Sequence, residues 1–253
     1  MMITQSHQRG LSNNTFSRCY INSVMQFIFH NPLFFQLLQN NSEFSEFCHD
    51  KELLTDVLHK LYCKDKRIDL TDQDVSSDFL HWCCDKFNRN SSFTFKSRQT
   101  RVCCGCGESF SQLMNNTVFQ IYPTSSNLVD SIIDSLSAQI DWKCIRCGLV
   151  KADITFDFIT FPNDLFIAFH QDHSKKNSTI QPDIYINDVR YILMGCIEHT
   201  GSVDGGHYKA YMNFSNNWFC YNDLKVMPIK IKTIQQKCNG KSSFVCFWYA
   251  KYT

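Results

Sequence analysis

Two cysteine knuckles restrict this chain more than any other feature. Cys103-x-x-Cys106 and Cys144-x-x-Cys147 are separated by 37 residues, and a glycine follows each, Gly107 and Gly148. A Cys-x-x-Cys turn aims both sulfurs at one point, and two such turns complete a tetrahedral thiolate shell for Zn2+. Four thiolates leave no open position for water, so the expected metal is one structural Zn2+; no organic cofactor is expected. Buried or redox-active thiols are the competing reading. Cys104, beside the first knuckle, is a rival ligand with a poorer spacing to Cys106. A nucleic-acid-binding zinc ribbon is disfavoured, because only Arg101, Lys143, Arg146 and Lys151 surround the element and the chain's formal charge is +1.

The rest of the pattern sets the class. Ile21, Val24, Met25, Ile28 and Phe29 recur at helical spacing until Asn31-Pro32 interrupts them. A second helical pattern follows at Leu54, Val57, Leu58 and Leu61, ending at the charged turn Lys64 to Arg67. A third runs from about Asp74 to Phe87 and places Asp74 and Asp78 four apart on one side. From about Phe93 the character turns to strand: Val118 to Ile121, Thr155 to Phe161, Leu165 to Phe169, Tyr208 to Phe214, Trp218 to Tyr221 and Phe244 to Tyr249. Ile184 to Ile186 and Val189 to Leu193 flank Asn187-Asp188, a hairpin turn. Ser12 to Ser17, Asp172 to Thr179 and Asn213 to Asn217 read as polar loops. Helices first and strands afterwards predict an α+β fold, and no Pro, Gly or Ser-rich linker divides the 253 residues. Met1 to Arg9 lacks the apolar core of a secretory leader, and runs such as Leu165 to Phe169 are too short to span a bilayer. With 14 cysteines and no export signal, thiols and metal in a reducing compartment, cytoplasm or nucleus, are expected over disulfides; no membrane partner is expected.

Cys19 stands where the first helical pattern opens, after a run of polar turn formers. A thiol at a helix N-terminus meets free amides and the positive end of the macrodipole, which favour its thiolate. Two further segments supply companions. Gly205-Gly206-His207-Tyr208 precedes one strand, and Asn222-Asp223 closes the next, so an imidazole and an Asn or Asp can face each other across a hairpin. Spacing alone does not single out His207, because His199 lies eight residues earlier.

These segments resemble the ubiquitin-specific protease family, papain-like deubiquitinases, over nearly the whole chain. Its cysteine box is matched by Gly10, Leu11, Asn14, Cys19, Tyr20, Asn22, Ser23 and Gln26. Its histidine box is matched by Gly206, His207, Tyr208, Ala210, Tyr211, Trp218, Tyr221, Asn222, Asp223 and Val226. Gln73-Asp74-Val75 with Asp78-Phe79-Leu80 resembles its acidic helix, and Leu165 to His170 its L-x-I-x-L-K-R-F strand. The resemblance implies a single catalytic domain over 1–253 with a papain-like fold. The helical thumb would occupy 1–92, the zinc-bearing fingers about 93–165 and a β-rich palm about 166–253. It implies a thiol-dependent deubiquitinase that hydrolyses the isopeptide or peptide bond after the C-terminal glycine of ubiquitin. Cys19 would be nucleophile, His207 base, Asn222 the residue orienting the imidazole, Asn14 the oxyanion donor, and Asp223 a source of charge in the cleft. Asp74 and Asp78 would bind the arginines of ubiquitin's tail, and Gly205 and Gly206 would line the channel for its two glycines. Ubiquitin or ubiquitinated proteins are the implied partners, with a monomer as the default state.

Three departures stand out. Phe16-Ser17-Arg18 replaces the family's Gly-Asn-Thr before the cysteine, Gly10-Leu11 lies one residue further from Cys19, and Gln73-Asp74 one further from Asp78. Phe16 disfavours a tight turn, and Arg18 brings a cation next to Cys19. An inactive ubiquitin-binding or scaffold relative is the alternative that these residues leave open.

Overall fold

The computed structural model describes residues 9–13, 17–87, 93–122, 124–125, 127–169, 180–202, 205–237 and 242–252. Helix α1 (Cys19–His30) is buried along its full length, which its continuous Tyr20-Ile21, Val24-Met25 and Phe27 to Phe29 apolar surface requires. Asn31 ends it, and its side chain accepts from the Phe34 amide at 2.9 Å to start α2 (Pro32–Gln39), with proline in the first turn where no donor is needed. A 3-10 turn at Ser45–Phe47 leads to α3 (Lys51–Lys66), which Asp50 caps through the Glu52 and Leu53 amides and which Arg67 closes in the left-handed region. Helix α4 spans Ser76–Phe87. Asp74 therefore lies just ahead of this helix, not on it as the spacing predicts: its carboxylate takes the Val75 amide at 2.8 Å and the Tyr62 hydroxyl, contacts that hold the chain outside helical geometry.

The strands form two sheets. β1 (Phe95–Cys103), β2 (Ser109–Asn116), β4 (Ser137–Lys143) and β5 (Val150–Phe158) make an antiparallel sheet in the order β2-β1-β5-β4. The second comprises β3 (Val118–Ile121), β6 (Asp164–Phe169), β7 (Asp183–Ile186), β8 (Val189–Ser202), β9 (Gly205–Phe214), β10 (Asn217–Asn222), β11 (Lys225–Ile229) and β12 (Ser242–Lys251). Its order is β11-β10-β9-β8-β12-β6-β3, with β7 paired to β8 and β3 parallel to β6. Two short helices, α5 (Leu128–Leu136) and α6 (Ile231–Lys237), interrupt the strands.

Strand alternation explains how the larger sheet sits between two cores. Phe166 and Ala168 of β6 face one core with Phe27, Phe34 and Phe93, while Leu165, Ile167 and Phe169 face the other with Leu128 and Ile132 of α5 and Ile234 of α6. Asn187 and Asp188 both have positive φ, 47° and 65°, as the hairpin reading requires, and Ser215-Asn216 repeats the device between β9 and β10. The polar loop expected at Asn213 to Asn217 shrinks to that pair. The strand expected at Thr155 to Phe161 starts at Val150 and ends at Phe158, and β8 runs to Ser202 instead of stopping at Leu193. The Asp172 to Thr179 loop lies outside the described residues, as does part of Ser12 to Ser17. Among the described residues no helix is long and apolar enough to cross a membrane.

Candidate active site

The N-terminus of α1, which carries Cys19, packs against β9, which carries His207. Cys19 is 1% exposed, and the amides of Tyr208, Tyr20 and Cys19 itself approach its sulfur. Burial pushes the thiol up from its ordinary value of 9.0; those three amides pull it down, and the Asp223 carboxylate raises it further. The helix terminus is present as expected, but desolvation outweighs it. Burial thus favours the thiol over the thiolate, and attack calls for a base.

His207 supplies an imidazole one residue from Tyr208. Its Nε2 lies 2.5 Å from Asn222 Oδ1 at the end of β10. An amide oxygen only accepts, so Nε2 carries the proton and Nδ1 is left with a lone pair. Asp223 stands one residue on with φ of 50°, its carboxylate 4.0 Å from His207 Nε2. That carboxylate is held by Asn22 Nδ2 at 2.8 Å and Asn13 Nδ2 at 3.1 Å, and the Asp223 carbonyl accepts from the Leu11 amide at 3.1 Å. Gly10 packs against the same segment so closely that a Cβ there would run into the Asp223 carbonyl. Asn13 also accepts from the Arg18 amide at 3.0 Å, which ties the loop before Cys19 to β10. Sequence reasoning gave Asn13 no part and left Asn22 as an anonymous box residue. The dense Asn content of the box was the signal available.

Arg18 does not enter the cleft. Its guanidinium is buried against α3, paired with Asp56 and 3.6 Å from Glu52, whose carboxylate also takes the Ser12 amide at 2.6 Å and hydroxyl at 3.0 Å. The expectation of a bare cation beside Cys19 is thus corrected: two carboxylates on α3 draw the side chain away and compensate its charge. Asn14 and Phe16 lie outside the described residues.

Asp78 is in the first turn of α4, 3.6 Å from Lys66 and half exposed, on a surface that also carries His81 and Trp82. Asp74 instead bonds the Tyr62 hydroxyl, and Asp78 also acts on that tyrosine, so the two carboxylates share a neighbour but not a bonding partner. Gly205 and Gly206 belong to β9, opposite Ser202 and Gly201 of β8. A Cβ at Gly206 would strike His199 and the Thr200 carbonyl, so packing already demands glycine there. Gln73, a box residue without an assigned role, reaches across the cleft: its Nε2 is 2.7 Å from the Gly206 carbonyl and 3.7 Å from Cys19 Sγ.

The knuckles lie together at the far end of the four-stranded sheet. Cys103, Cys106, Cys144 and Cys147 bring their sulfurs within 4.8 Å of one another, with Cys103–Cys147 at 3.5 Å and Cys106–Cys144 at 3.6 Å. Each turn closes through a glycine of positive φ, 72° at Gly107 and 77° at Gly148, whose amide returns to the carbonyl of Cys103 or Cys144. Amides of Cys106 and Gly105 point at the Cys103 sulfur and favour its thiolate, the form that binds metal. Cys104 turns outward to Gln139 Nε2 and is outside the cluster. An all-thiolate set of this compactness is a possible zinc site.

Comparison with known proteins agrees with this architecture. The ubiquitin carboxyl-terminal hydrolase family model matches residues 9–248. Ubiquitin carboxyl-terminal hydrolase 32 of Drosophila melanogaster is 38% identical over 56 residues, 22% of this chain and 3% of that protein. The probable ubiquitin carboxyl-terminal hydrolase 8 of Schizosaccharomyces pombe is 20% identical over 277 residues, covering 88% of this chain and 61% of the relative. The chain thus spans less than two thirds of these curated relatives. Among solved structures, the SAGA Ubp8/Sgf11/Sus1/Sgf73 DUB module bound to ubiquitin aldehyde superposes with a TM-score of 0.77 at 17% identity, over 100% of this chain and 71% of that one. A second structure, of the Ubp8-Sgf11-Sgf73-Sus1 SAGA DUB module, gives 0.75 at 18% identity over 100% and 70%. The fold is the α+β one expected, and the chain belongs to the ubiquitin carboxyl-terminal hydrolase family.

Proposed function

We propose that this chain is a thiol-dependent deubiquitinase that hydrolyses the bond after the C-terminal glycine of ubiquitin, with ubiquitin conjugates as its partners. The observation that carries the reading is the Nε2 bond of His207 to Asn222, which leaves Nδ1 as the proton acceptor on the residue before Tyr208, whose amide approaches the Cys19 sulfur. In this reading His207 Nδ1 takes the Cys19 proton as the sulfur attacks the glycine carbonyl. Asn14 is the oxyanion donor that the family resemblance implies; a donor of that kind contributes roughly 10²–10³ in rate. Collapse expels the lysine amine, which takes the proton back from His207, and leaves a thioester on Cys19. A water deprotonated by His207 then releases the ubiquitin carboxylate and restores the thiol. Asn222 keeps the ring in the required tautomer, and the Asp223 carboxylate, fixed by Asn13 and Asn22, favours the transient imidazolium from 4.0 Å.

Asp74 and Asp78 are the proposed sites for the tail's two arginines, and Gly205 and Gly206 the wall of the glycine channel. The four knuckle cysteines would hold one Zn2+, which supplies a cross-link and no chemistry. We also propose a reducing compartment, cytoplasm or nucleus, on the sequence grounds given above.

The test is a ubiquitin carrying an electrophile in place of its C-terminal carboxylate. A stable one-to-one adduct on Cys19, absent in Cys19→Ala, is expected. Binding of ubiquitin without an adduct would leave the inactive relative as the correct reading, favoured by Phe16-Ser17-Arg18.

A further inference from the structure

The pairing of β10 with β9 begins at Tyr221 opposite Ala210, so the stretch of β9 that leads into His207 extends beyond it. On its other side Gly206 lies opposite Gly201 of β8. At this exposed margin Gln73 does what a neighbouring strand would do. Its Nε2 donates to the Gly206 carbonyl at 2.7 Å, its Oε1 accepts from the Gly206 amide at 3.4 Å, and the second Nε2 hydrogen points at Cys19 Sγ, 3.7 Å away. All three contacts agree on one orientation of the carboxamide, which mimics a peptide group on the sheet edge. The side chain comes from the segment before α4, 133 residues from Gly206, and is itself exposed.

We propose that Gln73 is a substrate-displaced latch over Cys19: its carboxamide occupies the backbone position that an extended tail must take on Gly206, and only a ligand presenting a main-chain donor and acceptor there offsets the bonds it breaks. A small thiol reagent offers no such groups and meets the latch as a barrier. An extended peptide replaces it group for group, so the latch selects for peptide-like tails. The part concerning the tail rests on the deubiquitinase reading; the part concerning access to the thiol does not.

Alkylation of Cys19 by acrylonitrile, which carries no hydrogen-bond donor, followed at the Cys19 peptide by mass spectrometry across pH with Cys19→Ala as blank, separates the two. In Gln73→Ala, and in Gln73→Asn whose shorter arm cannot span the cleft, the limiting rate at high pH should rise roughly fivefold, the weight of one net hydrogen bond. The apparent thiol pKa should rise as well, because the sulfur loses a donor. Half-saturation by the ubiquitin electrophile should fall by a similar factor. An unchanged or slower limiting alkylation rate in both variants overturns the latch, and so does a weaker half-saturation, which would make Gln73 a plain tail contact. Faster alkylation in a protein that forms no ubiquitin adduct upholds the latch and refutes the deubiquitinase reading.

Discussion

The two sheets of this molecule are held by different forces, and β6 and β2 show the contrast most clearly. Every residue of β6 is buried, with alternate side chains in two separate cores. In β2 six of the eight residues are exposed and none is buried, and Leu113 is 68% exposed. Burial of apolar surface, at about 25 cal/mol per Å², can stabilise the first strand and contributes little to the second. The four-stranded sheet is anchored at one end by Phe95 and Phe158, whose rings stack at 4.8 Å, and drawn together at the other by the four sulfurs. The Arg146–Glu108 pair that crosses the knuckles is exposed and adds little. A sheet without a core of its own needs a cross-link, which gives the metal a mechanical reason to be there.

Removing the metal should have the largest effect and should fall on one sheet only. Structural zinc contributes on the order of 10 kcal/mol of apparent binding free energy in small domains. Purified protein is expected to carry about one zinc per chain. Cys144→Ser or chelation should then strip amide-exchange protection from β2 and β4 while β6, β8 and β12 keep theirs. Loss spread evenly over both sheets would break the comparison. Next in size, Phe166→Ala removes a ring packed against Phe27, Phe34, Phe93 and Trp248, and should cost about 3–5 kcal/mol in urea unfolding. A loss below about 1 kcal/mol would mean that β6 is not the strand the core depends on. Smallest of all, Leu113→Ser on the open face of β2 should change stability by no more than about 0.5 kcal/mol, and a larger loss would reveal a hidden packing partner.

The same contrast explains what could be read in advance. β6, β9 and β10 are apolar or alternating because they border cores, and sequence marks them. β2 and β4 have no buried residue, so Ser109 to Asn116 shows neither period and no strand is expected there. Helix α5 is hidden for another reason: Leu128, Ile132 and Leu136 have helical spacing but sit within a run of strands, where short apolar segments are ambiguous. At the site, the types of the working residues were legible because thiol, imidazole and amide chemistry restricts the choice. Their supports were not. Asn13 with Asp223, Arg18 with Asp56 and Gln73 with Gly206 join residues 210, 38 and 133 positions apart, and no local pattern encodes such pairings. The raised Cys19 thiol belongs to the same class, since its cause is burial by elements the sequence could not yet bring together.

β12 follows every other strand in the chain yet lies inside the larger sheet, between β8 and β6. The interior of this sheet therefore stays incomplete until β12 has been synthesised. At about 5–20 residues per second, the 188 residues from Cys19 to His207 take roughly ten to forty seconds to emerge from a ribosome. Throughout that interval the thiol has no imidazole, and the strand that completes the sheet behind it has not been made. Under the proposed mechanism the topology is a timer: a hydrolase acting on tagged proteins stays inert as a nascent chain, and cleavage begins only when its last strand closes the sheet.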